Sequence, residues 1–330
     1  MQTIECTPVS LNRSLKALIA TRTPACIWGS PGIGKSAVVD QTRTEMGRLF
    51  YDLRAVLLDA VDLRGIPYLD AMTSTTRWAV PDFLPKTGSG VLFIDEINRA
   101  RTEVQNALFQ LILDRKLGDY VLPDGWAIIA AANRESDGGG VTKMSQALCN
   151  RFIHLNMTVS FNDWRTWAVK HLEPSVVAFI SWRPDLLHQF SRTENAFPTP
   201  RTWEYVSSVV ASNPDRETLL ILVAGAVGYG AAIEFIAFMD LYQRVPSIDG
   251  IVLNPTTATV PTDAQTLYAT SAALARRSTL ANFGRVITYL NRLPAEFAVL
   301  AIKAATGRDD GLTATPEFNS WAIANAEVCL

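Results

Sequence analysis

The chain has 330 residues, 48% of them hydrophobic and 19% charged, with a formal net charge of −2. At roughly 100–200 residues per domain, that length suits a folded chain of about two domains with a substantial core. A balance so close to neutral excludes a global attraction to nucleic acid or anionic lipid and leaves only local patches for such partners. The four cysteines, Cys6, Cys26, Cys149 and Cys329, stand apart with no CxxC spacing. With only three histidines beside them, neither a disulfide framework nor a zinc site is indicated, and a reducing, cytoplasmic setting is expected. The start Met1-Gln2-Thr3-Ile4-Glu5 lacks the basic and apolar regions of a secretory signal.

Over the first 160 or so residues, short apolar runs alternate with amphipathic ones, the pattern of a parallel sheet covered by helices. Ala25–Trp28 reads as a buried strand and leads into Gly29-Ser30-Pro31-Gly32-Ile33-Gly34-Lys35-Ser36. Glycines there let backbone N–H groups converge on phosphate oxygens, and the helix that follows adds its positive dipole end. Lys35 is expected at the β/γ-phosphates and the Ser36 hydroxyl on Mg²⁺. A second strand, Val91–Ile94, delivers Asp95 and Glu96 at its end. Asp95 is expected to hold Mg²⁺ through its water shell and Glu96 to polarise the attacking water.

Thr102 to Lys116 reads as a helix with Val104, Leu108, Leu111 and Ile112 on one face. A third strand, Ala127–Ala132, ends in Asn133, a neutral amide suited to orienting water between a γ-phosphate and Glu96. Three strand ends thus point to one site, as expected for ligands at the carboxyl edge of an open α/β sheet. From about Phe161 the strand-like runs fade, and from Arg201 the chain reads as successive helices broken by prolines. The polar, proline-rich stretch from Arg192 to Pro200 marks the boundary, placed at 195/196. Leu219 to Ile233 carries fifteen uncharged residues, short of the ~18–20 needed to span hydrocarbon, and reads as a buried helix.

The segments FIDEINRARTEVQNALFQLI and YVLPDGWAIIAAANRE resemble the second acidic motif and the sensor approach of the AAA+ superfamily, MoxR-like branch, over about residues 10–205. The resemblance implies an α/β fold over 1–195, a P-loop NTPase parallel sheet sandwiched by helices, with a hairpin inserted in helix 2 at about 62–85. An all-α lid and C-terminal extension would follow over 196–330. It further implies ATP hydrolysis with Mg²⁺ in a hexameric ring that remodels or activates a partner protein, one with a von Willebrand factor A domain among the candidates.

Within the family pattern, Arg151 in ALCNRF matches the arginine that reaches a neighbour's γ-phosphate, and Arg201 in FPTPRTWE matches the second sensor at the start of a lid helix. Arg134, Arg99 and Arg101 stay open as alternatives for the trans-acting role. Hairpins around Ile66–Val80 and Leu117–Trp126 offer Tyr68, Trp78 and Tyr120 as contacts for pore or partner. Two other function classes compete: a DNA-directed motor of the same clade, and a nucleotide-binding scaffold without turnover, against which Glu96 and Asn133 both speak. His154, His171 and His188 read as packing or surface residues, and Trp164 and Trp167 as core.

Overall fold

The apolar runs of the first half become one sheet. The computed structural model describes residues 4–134, 137, 143–244 and 248–325. Its strands are β1 (Glu5–Cys6), β2 (Ala25–Trp28), β3 (Leu49–Arg54), β4 (Ile66–Asp70), β5 (Thr75–Ala79), β6 (Ser89–Asp95), β7 (Lys116–Leu117), β8 (Tyr120–Val121), β9 (Gly125–Ala132) and β10 (Ile153–Met157). Six of them pair in the order β1-β10-β2-β9-β6-β3, every ladder parallel. The helices of this half are α1 (Pro8–Thr21), α2 (Lys35–Glu45), α3 (Ala60–Arg64), α4 (Thr102–Asp114) and α5 (Gln146–Cys149).

Strand alternation sorts the core into two faces. Val91, Phe93, Ala127, Ile129 and Ala131 pack with Leu11, Leu15 and Ile19 of α1 and Val38 and Val39 of α2. The alternate residues Leu92, Ile94, Ile128 and Ala130 pack with Val104, Leu108, Leu111 and Ile112 of α4, the face expected from its spacing. Burial on both sides is why these strands read as unbroken apolar runs rather than alternating ones. α4 ends at Asp114, short of the expected Lys116, because Arg115 turns left-handed (φ 55°). That turn sends the Arg115 guanidinium back to the carbonyls of Pro123 and Trp126 at 2.9 and 2.7 Å, which ties down the base of the β7–β8 hairpin.

Within 62–85 the chain forms the antiparallel hairpin β4–β5, which starts at Gly65 (φ 83°), where a Cβ would collide with the Ala79 carbonyl. The Trp78 N–H donates to Asp119 Oδ2 at 3.2 Å, linking the two hairpins. Tyr68 is exposed as a contact residue should be, and Trp78 is half-buried. Tyr120 corrects the expectation: it is 6% exposed, and its hydroxyl donates to Pro85 O at 2.6 Å, so it braces the hairpin from inside.

The chain divides into two compact units, Met1–Ser160 and Phe161–Leu330. The break falls ahead of the 195/196 boundary because two helices already precede the proline-rich stretch. The second unit comprises α6 (Phe161–His171), α7 (Pro174–Trp182), α8 (Pro200–Ala211), α9 (Arg216–Val227), α10 (Tyr229–Arg244), α11 (Ile248–Leu253), α12 (Ala264–Arg277), α13 (Phe283–Leu290), α14 (Ala295–Arg308) and α15 (Pro316–Ala324). α7 packs on α12 and α6 on α14. Phe179 of α7 centres an aromatic cluster, with ring centroids 5.4, 5.2 and 5.6 Å from Trp203, Phe235 and Phe238.

Trp164 is buried as expected, whereas Trp167 is half-buried and stacks on His171 at 4.9 Å. The uncharged run 219–233 is not one buried helix. Gly228 (φ 85°) closes α9 before α10 begins, and Ile221, Leu222, Tyr229 and Ile233 stay exposed. Among the described residues no helix is long and apolar enough to cross a membrane.

Candidate functional site

The loop after β2 is shaped by close approach. A Cβ at Gly29 would lie 2.6 Å from Ile33 Cδ1 and 2.9 Å from Met157 O, so only glycine lets the chain leave β2 along this path. Gly32 (φ 78°) and Gly34 (φ 95°) supply the left-handed turns that an L side chain resists. Gly34 is also the N-cap of α2, with no side-chain cap and no acidic residue in the first turn. The first N–H groups of α2 and its positive dipole end therefore face the loop without an internal anion, the arrangement that favours phosphate.

Three strand ends meet at this loop. Lys35, 9% exposed, donates from Nζ to Gly29 O at 2.6 Å, Ser30 O at 3.1 Å and Asn133 Oδ1 at 2.9 Å. Ser36 Oγ donates to Asp95 Oδ2 at 3.2 Å, and Asp95 Oδ1 accepts from Glu96 N at 2.8 Å. Asn133, past the end of β9, thereby touches the lysine of the loop after β2, while Asp95, at the end of β6, touches its serine. These contacts follow from the sheet order, in which β9 lies between β2 and β6. Ser36 Oγ and Asp95 Oδ2 are adjacent hard oxygen donors, and they fit a magnesium ion that completes its shell with phosphate and water.

Glu96 begins a left-handed turn (φ 54°), and Arg99 Nη1 donates to its Oε1 at 3.0 Å. The sequence weighed Arg99 only as a trans-acting residue; it is the partner of Glu96 in its own chain. Arg101 is likewise engaged, with Asp59 at 2.9 Å, and Arg134 Nη2 donates to Met157 O at 3.3 Å. Arg151 lies after α5 with its guanidinium over the Phe109 ring at 5.5 Å, and its buried Nε has no hydrogen-bond partner among the described residues. It is not among the groups gathered at the loop. Arg201, exposed in the first turn of α8, belongs to the second unit.

Asn98 escaped the sequence reading. It sits two residues beyond the acidic pair, 1% exposed, and its amide pairs with the backbone of Asn133 at 2.7 and 3.2 Å. The signal available was an amide directly after apolar Ile97 in the turn that follows the acidic pair. His154 also does more than fill space. The Trp28 indole N–H donates to its Nδ1 at 2.8 Å, which puts the ring proton on Nε2, 2.8 Å from Cys149 O. The last residue of β2 is thus tied to the end of α5. Burial pushes the Cys26 thiol up, so this cysteine of β2 is an apolar core residue rather than a nucleophile.

Residues 24–152 match the family model for an AAA domain of the dynein-related subfamily. Among solved structures, the chain is similar to the RuvB Holliday junction branch migration motor of Thermotoga maritima, at 17% identity over 86% of each chain with a TM-score of 0.39. It is also similar to NtrX from Brucella abortus in complex with ADP, at 13% identity over 100% of this chain and 70% of that one, TM-score 0.37. A candidate ATPase from Cytophaga hutchinsonii is 16% identical over 90% of this chain and 81% of that one, TM-score 0.36. These are distant likenesses of chain path. The family match, the parallel sheet and the glycine loop at its carboxyl edge agree on an AAA-type fold for residues 24–152.

Proposed function

We propose that this protein binds ATP with Mg²⁺ at Gly29–Ser36, hydrolyses it in a hexameric ring and uses the cycle to remodel or activate a partner protein. The observation that carries the reading is the meeting of Lys35 with Asn133 and of Ser36 with Asp95. That meeting sets a cation, a neutral amide and an oxygen pair around the place where a γ-phosphate would end. Backbone N–H groups of the loop and Lys35 hold the phosphates, and Ser36 and Asp95 hold the metal, which when bound offsets charge on the phosphate oxygens. Glu96 orients the attacking water, which requires its carboxylate to leave Arg99. Asn133 donates its NH₂ toward the γ-phosphate or the water.

Arg151 serves a neighbouring subunit's site in this reading, supported by a guanidinium that is not gathered at the loop of its own chain and a buried Nε without a hydrogen-bond partner among the described residues. Arg201 reads the nucleotide as second sensor. Partner engagement is supported by the β4–β5 hairpin, which exposes Tyr68, Leu69 and Met72 at 50%, 71% and 94%. A partner with a von Willebrand factor A domain is the class that the family resemblance favours. A cytoplasmic setting agrees with the free thiols of Cys6 and Cys26.

The test is Mg²⁺-dependent phosphate release by the assembled protein. Glu96→Gln is expected to keep ATP binding and lower turnover by about 10²–10⁴-fold; unchanged turnover removes Glu96 from its role. Mixing Lys35→Ala with Arg151→Ala subunits is expected to restore part of the lost hydrolysis, and no recovery at any ratio would remove Arg151 as the trans-acting group. Strong stimulation of turnover by DNA, declining with salt, would replace the partner-remodelling reading with the nucleic-acid one.

A further inference from the structure

Asn98 is buried on the short turn Ile97–Arg99 that follows the acidic pair. Its side chain treats Asn133 as a strand treats its neighbour: Nδ2 donates to Asn133 O at 2.7 Å, and Oδ1 accepts from Asn133 N at 3.2 Å. The ladder between β6 and β9 pairs Phe93 with Ile129 and Ile94 with Ala130, and then β6 ends at Asp95. Beyond that point no backbone of β6 is left to hold β9's continuation, and the Asn98 amide takes over both hydrogen bonds. A primary amide can do this because it carries a donor and an acceptor side by side, as a peptide unit does.

The consequence falls on the Asn133 side chain. With its backbone fixed at both N and O, the amide is held where Oδ1 accepts from Lys35 Nζ at 2.9 Å. An ammonium is donor-only, so the oxygen must face Lys35 and the NH₂ group must face away from it. Gln105, the other buried amide of this region, makes a useful contrast. It donates to Ala100 O at 3.0 Å, within its own helix start, and serves only local structure. Asn98 reaches instead to a residue 35 positions away that touches the phosphate-loop lysine. Because Asn98 and Glu96 share one turn, a single short segment sets both the water-orienting carboxylate and the amide that reads the γ-phosphate.

We infer that Asn98 is a positioning residue for nucleotide hydrolysis, acting through Asn133 by clamping its backbone so that its NH₂ points to the γ-phosphate or the attacking water. This rests on the reading of the site as one that hydrolyses nucleotide. Misplacing a reacting or orienting group by about 1 Å costs on the order of 10²-fold in rate. Asn98→Ala is therefore expected to lower kcat roughly 10- to 100-fold.

The experiment is a double-mutant cycle on phosphate release with Asn98→Ala and Asn133→Ala, together with the ratio of ATP to ADP affinity for each variant. Action through Asn133 makes the double variant no slower than Asn133→Ala, and both single variants lose ATP-over-ADP preference to a similar extent. Losses that multiply, or an Asn98→Ala variant with wild-type kcat, overturn the inference while leaving the hydrolysis reading intact. Absence of turnover in the assembled wild-type protein overturns that reading and the inference with it. Should Asn98→Ala fail to fold, the same cycle is run with Asn98→Asp. That variant keeps the acceptor for Asn133 N and loses the donor to Asn133 O, so the same non-additivity is required of it.

Discussion

The two units differ in the buried polar groups that reach between elements: an ammonium and an amide in the sheet unit, a hydroxyl in the helical one. In the sheet unit, Lys35 and Asn98 are buried and their hydrogen bonds run between elements, from the loop after β2 to Asn133 and from the turn after β6 to the end of β9. In the helical unit, Ser181 donates to Val177 O and Thr270 to Thr266 O, one turn back on their own helices, and Thr199 caps α8, while Ser207 reaches across to accept from Glu173 N. Buried hydroxyls that return to the preceding turn cost little and do nothing beyond it. A buried ammonium and amide that reach across a sheet edge need a stronger reason. On the proposed function, that reason is a cradle whose carbonyl and amide acceptors hold Lys35 until phosphate oxygens compete for it.

Substitutions in the two units should therefore fail differently. Lys35→Ala is expected to lower turnover by 10³-fold or more, about 4 kcal/mol or more in barrier and binding together, with the helix and strand content unchanged by circular dichroism. A loss of secondary structure instead would make Lys35 a core residue and erase the contrast. Phe179→Ala empties the centre of the aromatic cluster and should lower unfolding stability by about 3–5 kcal/mol with nucleotide affinity of the folded protein unchanged. Denaturant melts and equilibrium nucleotide binding on the same sample separate the two effects. A large drop in affinity at full foldedness would show that the helical cluster shapes the nucleotide site.

The same contrast explains what could be read in advance. The buried strands, the glycine loop and the pair Asp95-Glu96 are local patterns, in which composition and spacing within ten residues carry the information. Asn133 was legible because it ends an apolar strand. Asn98 was not, because its meaning lies in a partner 35 positions away and in the point at which β6 stops pairing. Tyr120 was misread for a similar reason, since its hydroxyl finds Pro85 O across the fold and the ring follows it inward. In the helical unit, apolar content alone suggested one buried helix over 219–233, yet a single left-handed glycine, Gly228, divides it and leaves four large apolar residues exposed. Conformation at one residue overrode fifteen residues of composition. The early unit break at Phe161 has the same origin, because α6 and α7 are assigned by what they pack on rather than by their own pattern.

The smallest expected effect is one of pH. In the helical unit, hydrogen bonds hold carboxyls below their usual range: the Arg183 side chain for Asp185, and the Thr218 and Thr266 backbone N–H groups for the N-caps Asp215 and Asp263. A group with a lowered folded pKa contributes stability above its unfolded value of about 3.9, and that contribution disappears as pH falls through the lower, folded value. In the sheet unit, the Lys16 side chain lowers Glu45 and the Met72 backbone N–H lowers Asp70 in the same sense. Asp52, raised by burial and by nearby Asp95, runs the other way: its protonated form suits the fold, so stability is lost as pH rises through its folded value.

Acid should thus weaken the caps of the helical unit while relieving Asp52. Asp263 accepts from Thr266 N at 2.8 Å, and Asp263→Ala is expected to lower stability at pH 7 by about 1 kcal/mol. Asp263→Asn keeps a capping oxygen but cannot titrate. It should stay close to wild type at pH 7 and gain on it between pH 4 and 3, by roughly the charge-dependent part of one cap, a few tenths of a kcal/mol. Thermal melts of the three proteins across pH 3–7 decide the matter. If Asp263→Asn tracks the wild type at every pH, the Asp263 charge adds nothing to the cap, and the acid sensitivity of the helical unit must come from Asp185 and Asp215.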